Sequence, residues 1–83
     1  MVDMKVTFKK VYDGNQWLYE SDNGETLSVV CHEYSYGGDS GNFETMCSWL
    51  KDVQGYLTFG QVQQKINTIY KRERKFHENN KEG

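Results

Sequence analysis

The chain contains no proline and no alanine, and only two of its 83 residues are cysteine. Without proline, its turns must be made by glycine, asparagine and aspartate, which tolerate tight backbone conformations. Two cysteines, Cys31 and Cys47, without a CxxC spacing cannot form the disulfide framework of a small secreted domain. We expect two reduced thiols in a cytoplasmic protein and favour this over a disulfide, since no export signal precedes them.

Long apolar stretches are also missing. No run approaches the roughly 20 residues that span a bilayer, so we expect no membrane partner. Leu, Ile, Val and Phe together make up about a fifth of the chain, close to the composition of disordered proteins. Six tyrosines and two tryptophans add large apolar side chains, and the net charge of −2 is too small for strong self-repulsion. The composition therefore predicts one small globular domain over residues 1–77, followed by a frayed polar tail over residues 78–83.

Residues 4–34 have the pattern of an antiparallel meander. Met4, Val6 and Phe8 alternate with polar residues, which is the period of a half-buried strand. A two-residue turn at Asp13-Gly14 would place Phe8 opposite Tyr19. The next connection, residues 22–24, fits a three-residue loop that pairs Tyr19 with Leu27. These registers place eight residues on one face of the sheet: Met4, Val6, Phe8, Trp17, Tyr19, Leu27, Val29 and Cys31.

Residues 42–51 fit two structures. Helical spacing connects Phe43, Met46, Cys47 and Leu50, whereas strand alternation connects Phe43, Thr45, Cys47 and Trp49. From Leu57 onward the pattern indicates a helix over about 58 to 76, which begins with a capping box formed by Thr58 and Gln61. We expect its apolar stripe to pack on the sheet through Phe59, Val62, Ile66, Ile69, Tyr70 and Phe76. The predicted fold is α+β: an antiparallel meander of three or four strands, with a C-terminal amphipathic helix on one face.

Residues 36–42 form a loop that is richer in glycine than a simple connection requires. Its Gly38-Asp39-Ser40-Gly41 string also occurs around the nucleophile of trypsin-like proteases, but 83 residues cannot build the two barrels of those enzymes. An anion cradle of backbone N–H groups is a second alternative, which three nearby carboxylates oppose: Glu33, Asp39 and Glu44. We favour a flexible loop that either changes the direction of the chain or presents Tyr34 and Tyr36 to a partner, with Tyr56 beside another predicted loop.

The sequence offers no set of catalytic or metal-binding residues. His32 and Cys31 are neighbours on a predicted strand, so their side chains point to opposite faces. His77 lies near a helix end that we expect to fray, and no ligands at zinc-binding spacing accompany it. We therefore predict no enzyme, no metal site and no cofactor.

A basic run near the C-terminus suggests a different partner. Four cations within five residues can bind phosphates in a salt-dependent way: Lys71, Arg72, Arg74 and Lys75. The rest of the chain is acidic, with four basic and nine acidic residues over 1–60, and would repel a duplex. Basic residues also complement the dipole at a helix C-terminus. We therefore keep nucleic-acid binding as the alternative and a solvated helix face as the preferred interpretation.

Two strings resemble segments of small, functionally uncharacterised proteins of phages and prophages. The first is His32-Glu33-Tyr34-Ser35-Tyr36-Gly37-Gly38, followed by Gly41 and Glu44, and the second is Asp52-Val53-Gln54-Gly55-Tyr56-Leu57-Thr58. The resemblance covers about a third of the chain and assigns no activity. It implies a mobile-element origin and the cytoplasm of a host cell as location. It also implies a strand over residues 43–48 and a short turn of helix near residues 49–53.

These observations together predict a non-enzymatic binding protein that acts by occluding a host protein. Tyrosine and tryptophan favour interfaces, because they bring large area at low conformational cost. The predicted contact residues are Tyr34, Tyr36, Asp39, Glu33, Glu44 and Tyr56. The carboxylates would favour a basic surface, such as the nucleic-acid channel of a defence nuclease, so that the chain would act like an anti-CRISPR inhibitor. The sequence leaves the oligomeric state open.

Overall fold

The structure, a computed structural model, describes residues 4–79 and has five strands and one long helix. The strands are β1 (Met4–Val11), β2 (Gly14–Ser21), β3 (Thr26–Cys31), β4 (Phe43–Cys47) and β5 (Gln54–Leu57). A single 3-10 turn over Gly38–Ser40 lies between β3 and β4, and the helix α1 spans Phe59–Asn79. The sheet has the order β1-β2-β3-β4-β5 and is antiparallel throughout. The predicted α+β class is confirmed, with one strand more than expected, because the short β5 shows no alternating pattern.

The two hairpin predictions have different outcomes. The three-residue loop between β2 and β3 is confirmed, since Tyr19 pairs with Leu27. The predicted register of the first hairpin is wrong. Phe8 pairs with Trp17 instead of Tyr19, a shift of two residues, and the turn residues are Tyr12 and Asp13. A two-residue shift leaves every side chain on its predicted face.

Gly14 explains why the first turn lies elsewhere. A Cβ on Gly14 would lie 1.9 Å from the backbone carbonyl oxygen of Cys31. Only glycine therefore allows the beginning of β2 to approach the end of β3 this closely. The turn itself uses Tyr12, whose φ of 57° lies in the left-handed region.

Residues 42–51 contain a strand, as the resemblance implied. Thr45 and Cys47 are buried on the side of the helix, and Met46 is exposed on the other face. The helical alternative is wrong, because β4 pairs with β3 and the alternation continues its register. The expected helical turn near residues 49–53 is wrong as well, since turn and bend conformations connect β4 to β5.

The core lies between α1 and the inner face of β2 to β5. Its fully buried apolar residues are Leu27, Val29, Cys47, Val62 and Ile69. The predicted capping box is present at the start of α1. The Thr58 N–H donates to Gln61 Oε1 at 2.8 Å, and the Gln61 N–H donates to Thr58 Oγ1 at 3.3 Å. These bonds satisfy two of the backbone donors that a helix N-terminus leaves unpaired.

The ends of the predicted apolar stripe are not buried. Phe59 is 69% exposed and Phe76 is 39% exposed, whereas Val62 and Ile69 in the middle of the stripe are buried. Val6 and Phe8 lie on the helix side of β1 yet remain exposed, since α1 packs mainly against β2 to β5. The helix includes Glu78 and Asn79 of the predicted tail, and residues 80–83 lie outside the described residues.

Both cysteines are free. Within residues 4–79, no helix combines the length and the apolar character that crossing a bilayer requires.

Candidate binding surfaces at the two ends of the sheet

The turns and loops that connect the strands of the antiparallel meander lie at two opposite ends of the sheet. The glycine-loop end carries the β1–β2 turn, the loop over residues 32–42, the end of β5 and the beginning of α1. The helix-terminus end carries the β2–β3 turn, the β4–β5 connection and the last turns of α1. Each end brings together side chains that are distant in the sequence.

The loop over residues 32–42 packs closely against its neighbours through two of its glycines. A Cβ on Gly38 would lie 1.8 Å from the carbonyl oxygen of His32, and a Cβ on Gly37 would lie 2.8 Å from the Cα of Tyr56. The N–H of Asn42 donates to the Gly37 carbonyl at 2.9 Å. The loop is therefore a hydrogen-bonded turn packed against β5, and these close approaches require Gly37 and Gly38. Gly41 has open space around it, but its φ of 77° favours glycine.

Tyrosines crowd the glycine-loop end. Of the predicted tyrosines, Tyr36 and Tyr56 are joined by a hydrogen bond from the Tyr56 N–H to the Tyr36 carbonyl at 3.1 Å, and Tyr34 lies two residues before Tyr36 in the same loop. Tyr12 was not among the predicted contact residues, yet its ring centroid lies 4.7 Å from that of Tyr34 and 5.0 Å from that of His32. An aromatic residue directly before Asp13-Gly14 was the signal that could have indicated it. We call Tyr12, Tyr34, Tyr36 and Tyr56 the tyrosine surface; each is between 64% and 71% exposed.

Carboxylates accompany the tyrosine surface. Glu33 and Asp39 are exposed and, together with Asp13, line one polar depression. Asp13, which the sequence analysis did not select, also accepts the Glu33 N–H at 2.8 Å. Glu44 lies beside the loop, where its Oε1 accepts the Tyr36 N–H at 2.8 Å. Glu44 thus holds the loop, while the other three carboxylates make this end acidic.

The basic run lies on the second half of α1. Lys71, Arg74 and Lys75 are exposed. Arg72 instead makes a 3.0 Å ion pair with Glu25, and its guanidinium carbon lies 5.2 Å from the ring centre of Trp49. One of the four cations proposed for nucleic-acid binding is therefore engaged within the chain.

Glu25 connects three elements at the helix-terminus end. Its carboxylate accepts a hydrogen bond from the Ser48 hydroxyl as well as the bond from Arg72. The Ser48 bond first, and the Arg72 guanidinium after it, hold the pKa of Glu25 below its ordinary value, although partial burial opposes them. The ionised carboxylate therefore fastens α1 and the segment after β4 to the β2–β3 turn.

A second cluster at the same end comprises Asp22, Glu73 and His77. Nε2 of His77 lies 3.0 Å from an oxygen of Asp22, and the Asp22 N–H donates to Glu73 Oε1 at 2.8 Å. Asp22 and Glu73 were not among the predicted site residues, and His77 was predicted to lie near a fraying helix end without metal ligands around it. The available signal was a carboxyl at position 73, four residues after Ile69 on the apolar stripe.

An apolar groove opens between α1 and the face of β2, β3 and β4 that the helix packs on. Its volume is about 180 Å³, below the range of roughly 300–1,000 Å³ typical of small-molecule sites. The lining residues are Trp17, Tyr19, Val29, Phe43, Phe59, Val62 and Ile66. Burial first, and the neighbouring Tyr70 second, raise the pKa of Tyr19 above its ordinary value, so its hydroxyl stays protonated at neutral pH.

Comparison of the chain with protein-family models, curated proteins and solved structures finds no match in any of the three. Function is therefore inferred from the geometry of the two ends.

Proposed function

We propose that the chain is a non-enzymatic protein-binding domain that acts by covering a functional surface of a partner protein. The observation that carries this proposal is the tyrosine surface, four tyrosines that are each about two-thirds exposed at one end of the sheet. A domain with so few apolar residues gains stability by burying its aromatic rings, so their exposure calls for another role. Tyrosine is among the residues that dominate binding energy at protein interfaces.

The fixed loop supports an interface that is formed before the partner arrives. Gly37 and Gly38 seat the loop against its neighbours, and Glu44 accepts the Tyr36 N–H. Ordering side chains at an interface costs roughly 0.5–1.5 kcal/mol for each flexible residue. The backbone of Tyr36 is already held in place before binding, so ordering this residue at the interface would cost less free energy.

The carboxylates indicate the charge of the partner. Asp13, Glu33 and Asp39 line one depression beside the tyrosines. Charges around an interface steer complementary surfaces together and repel surfaces of the same sign. We infer a basic partner surface, and we propose that a phage or other mobile element uses the chain against a host protein. The nucleic-acid channel of a defence nuclease, blocked as an anti-CRISPR protein would block it, is the concrete version.

The test starts by identifying a partner and then removes parts of the proposed surface. The full chain is immobilised, proteins are captured from the candidate host, and the retained protein is purified for affinity measurements. The variant Tyr36→Ala with Asp39→Ala should weaken binding by roughly 2 kcal/mol or more, about thirtyfold. Met46→Ala is the control, since Met46 is also exposed but lies farther along β4, toward the helix-terminus end and away from the glycine loop. Unchanged binding by the double variant would refute this surface.

Nucleic-acid binding by α1 is the second candidate, favoured by the exposure of Lys71, Arg74 and Lys75. Changing these three residues to glutamine removes the exposed cations that make no ion pair among residues 4–79 and leaves the Arg72–Glu25 ion pair in place. If nucleic acid is the partner, this variant loses binding and its salt dependence, whereas the tyrosine variant keeps both. The protein-binding proposal expects the reverse.

A further inference from the structure

Three potential metal ligands converge where α1 meets the β2–β3 turn. Glu73 and His77 are one helical turn apart, so their side chains project from the same face of α1. Asp22 approaches them from the turn. A carboxylate oxygen of Asp22, one of Glu73 and an imidazole nitrogen of His77 all lie within 4.8 Å of one another.

Glu73 shows that this cluster is more than a surface ion pair. Its side chain is 0% exposed, and its Oε1 accepts the Asp22 N–H. Its Oε2 is buried without a hydrogen-bond partner among residues 4–79. Buried polar atoms without partners are rare, because the lost hydration costs free energy that no other contact returns. The Glu73 carboxyl thus has an unused oxygen beside two further ligands.

A divalent metal ion would supply the missing partner. One imidazole and two carboxylates are a set that zinc accepts, whereas magnesium and calcium prefer oxygen ligands throughout. Zinc binds nitrogen and oxygen ligands at about 2.0–2.2 Å, so the cluster must contract by about an ångström around the ion. The side chains of His77 and Asp22 are 43% and 33% exposed and have room to move toward the buried Glu73.

We propose that Asp22, Glu73 and His77 form a binding site for a divalent transition-metal ion of the zinc class. The ion takes the place of the direct contact between His77 and Asp22, and the neutral imidazole becomes a ligand. Three protein ligands leave a fourth position for water. Because the ligands come from the turn and from the last turns of α1, the ion ties the end of the helix to the sheet. The site lies at the opposite end from the tyrosine surface and does not depend on the proposed function.

The experiment uses the full chain with any affinity tag removed and with metal stripped by a chelator. Titration with Zn²⁺ in a calorimeter should show one ion per chain. His77→Ala and Asp22→Asn should each weaken binding by about tenfold or more, since even groups that only orient metal ligands contribute about 10–100-fold. Asp22→Asn keeps the backbone N–H that Glu73 accepts, and both changed residues are partly exposed, so these variants should fold.

Two matched controls exclude other zinc ligands. His32→Ala removes the other histidine, which lies at the glycine-loop end, and Cys31→Ser removes the more accessible thiol. Both should retain Zn²⁺ binding, and Zn²⁺ should raise their melting temperatures as it raises that of the unchanged chain. His77→Ala should lose this rise. The proposal is overturned if no ion binds stoichiometrically, if His77→Ala binds as before, if Cys31→Ser abolishes binding, or if Mg²⁺ binds as tightly as Zn²⁺.

Discussion

Glu73 occupies a position that the apolar stripe of α1 would assign to a hydrophobic residue. It follows Ile69 by four residues, lies on the same helix face, and is as fully buried as Ile69. A buried carboxyl must be compensated by hydrogen bonds or by a cation. The Asp22 N–H provides one such bond, so the β2–β3 turn and the end of α1 depend on the same side chain.

We expect Glu73→Ala to lower the free energy of unfolding of the metal-free protein by about 1–3 kcal/mol, because the Asp22 N–H loses its acceptor. Glu73→Gln keeps an oxygen at the same distance and should cost less. Urea denaturation in the presence of a chelator measures both. Equal stability of the alanine variant and the unchanged chain would show that the bond to Asp22 contributes nothing.

The two cysteines should differ in reactivity. Cys47 is buried, and burial raises the pKa of its thiol, although Lys65 and Thr45 partly oppose the rise. The thiolate is the species that reacts with alkylating reagents, so native Cys47 should react only when the chain opens. Cys31 is partly exposed and should be alkylated first. Mass spectrometry after timed iodoacetamide treatment tests the order, with Cys31→Ser isolating Cys47; equal rates would contradict it.

At the scale of elements, α1 is held on the sheet by the middle of its apolar stripe. Ile69 is fully buried, Ile66 is partly buried, and Phe59 is exposed. Ile69→Ala should therefore destabilise the domain by roughly 2–5 kcal/mol, a large share of what so small a domain can have. Ile66→Ala should cost less, and Phe59→Ala least of the three. Urea unfolding of the three variants gives the order, and a larger loss at Phe59 than at Ile69 would refute this packing.

The helix and strands also show which structural features could be predicted from the sequence alone. The capping box and the β2–β3 loop were predictable, because each depends on residues only a few positions apart. The first turn was not, since Gly14 is required by a close approach to Cys31, seventeen positions away. Helical periodicity indicated which side of α1 is apolar, but it could not show that Phe59 on this side remains 69% exposed.

The candidate sites show the same contrast between features that depend on nearby residues and features that depend on contacts between distant ones. Tyr34, Tyr36 and Tyr56 could be selected because they lie on or beside predicted loops, where core packing explains an aromatic residue least. Tyr12 escaped because the predicted register placed the turn one residue later. The cluster of Asp22, Glu73 and His77 forms only when α1 lies across the sheet, so no local pattern indicates it.

The attachment of α1 should weaken in acid. In the folded chain the pKa of Glu25 is held below its ordinary value of 4.5, chiefly by the Ser48 hydroxyl. A lowered pKa in the folded state adds stability above the unfolded pKa, and this stability disappears as the pH falls through the folded pKa. Between about pH 6 and pH 3, Glu25→Gln should therefore lose less stability than the unchanged chain, by no more than about 1 kcal/mol for this exposed pair. Parallel pH profiles of melting temperature would contradict this role of Glu25.

At the scale of the whole molecule, charge is unevenly distributed. Residues 61–83 carry six basic and three acidic side chains, whereas residues 1–60 are acidic. The fold places Asp13, Glu33 and Asp39 at the glycine-loop end, and it leaves Lys71, Arg74 and Lys75 exposed on the second half of α1 beside the ion-paired Arg72. Such a molecule meets a charged partner in a preferred orientation, since long-range fields act before contact.

This polarity yields a kinetic prediction about the partner that the capture experiment identifies. If the glycine-loop end meets a basic surface, neutralising Glu33 and Asp39 to glutamine and asparagine should slow association several-fold at low salt. The same change should flatten the dependence of the association rate on ionic strength, because exposed charges are screened beyond about 10 Å at 0.1 M salt. Dissociation should change little, since rim charges act mainly on encounter.

Neutralising Lys71, Arg74 and Lys75 is the matched counterpart. For a basic protein partner, this variant should associate as fast as the unchanged chain or faster, because it removes charges of the same sign as the partner. Stopped-flow or surface-based association rates at several salt concentrations distinguish the two variants. Slower association after loss of the cations, together with faster association after loss of the carboxylates, would mean that an acidic partner approaches α1 instead of the tyrosine surface.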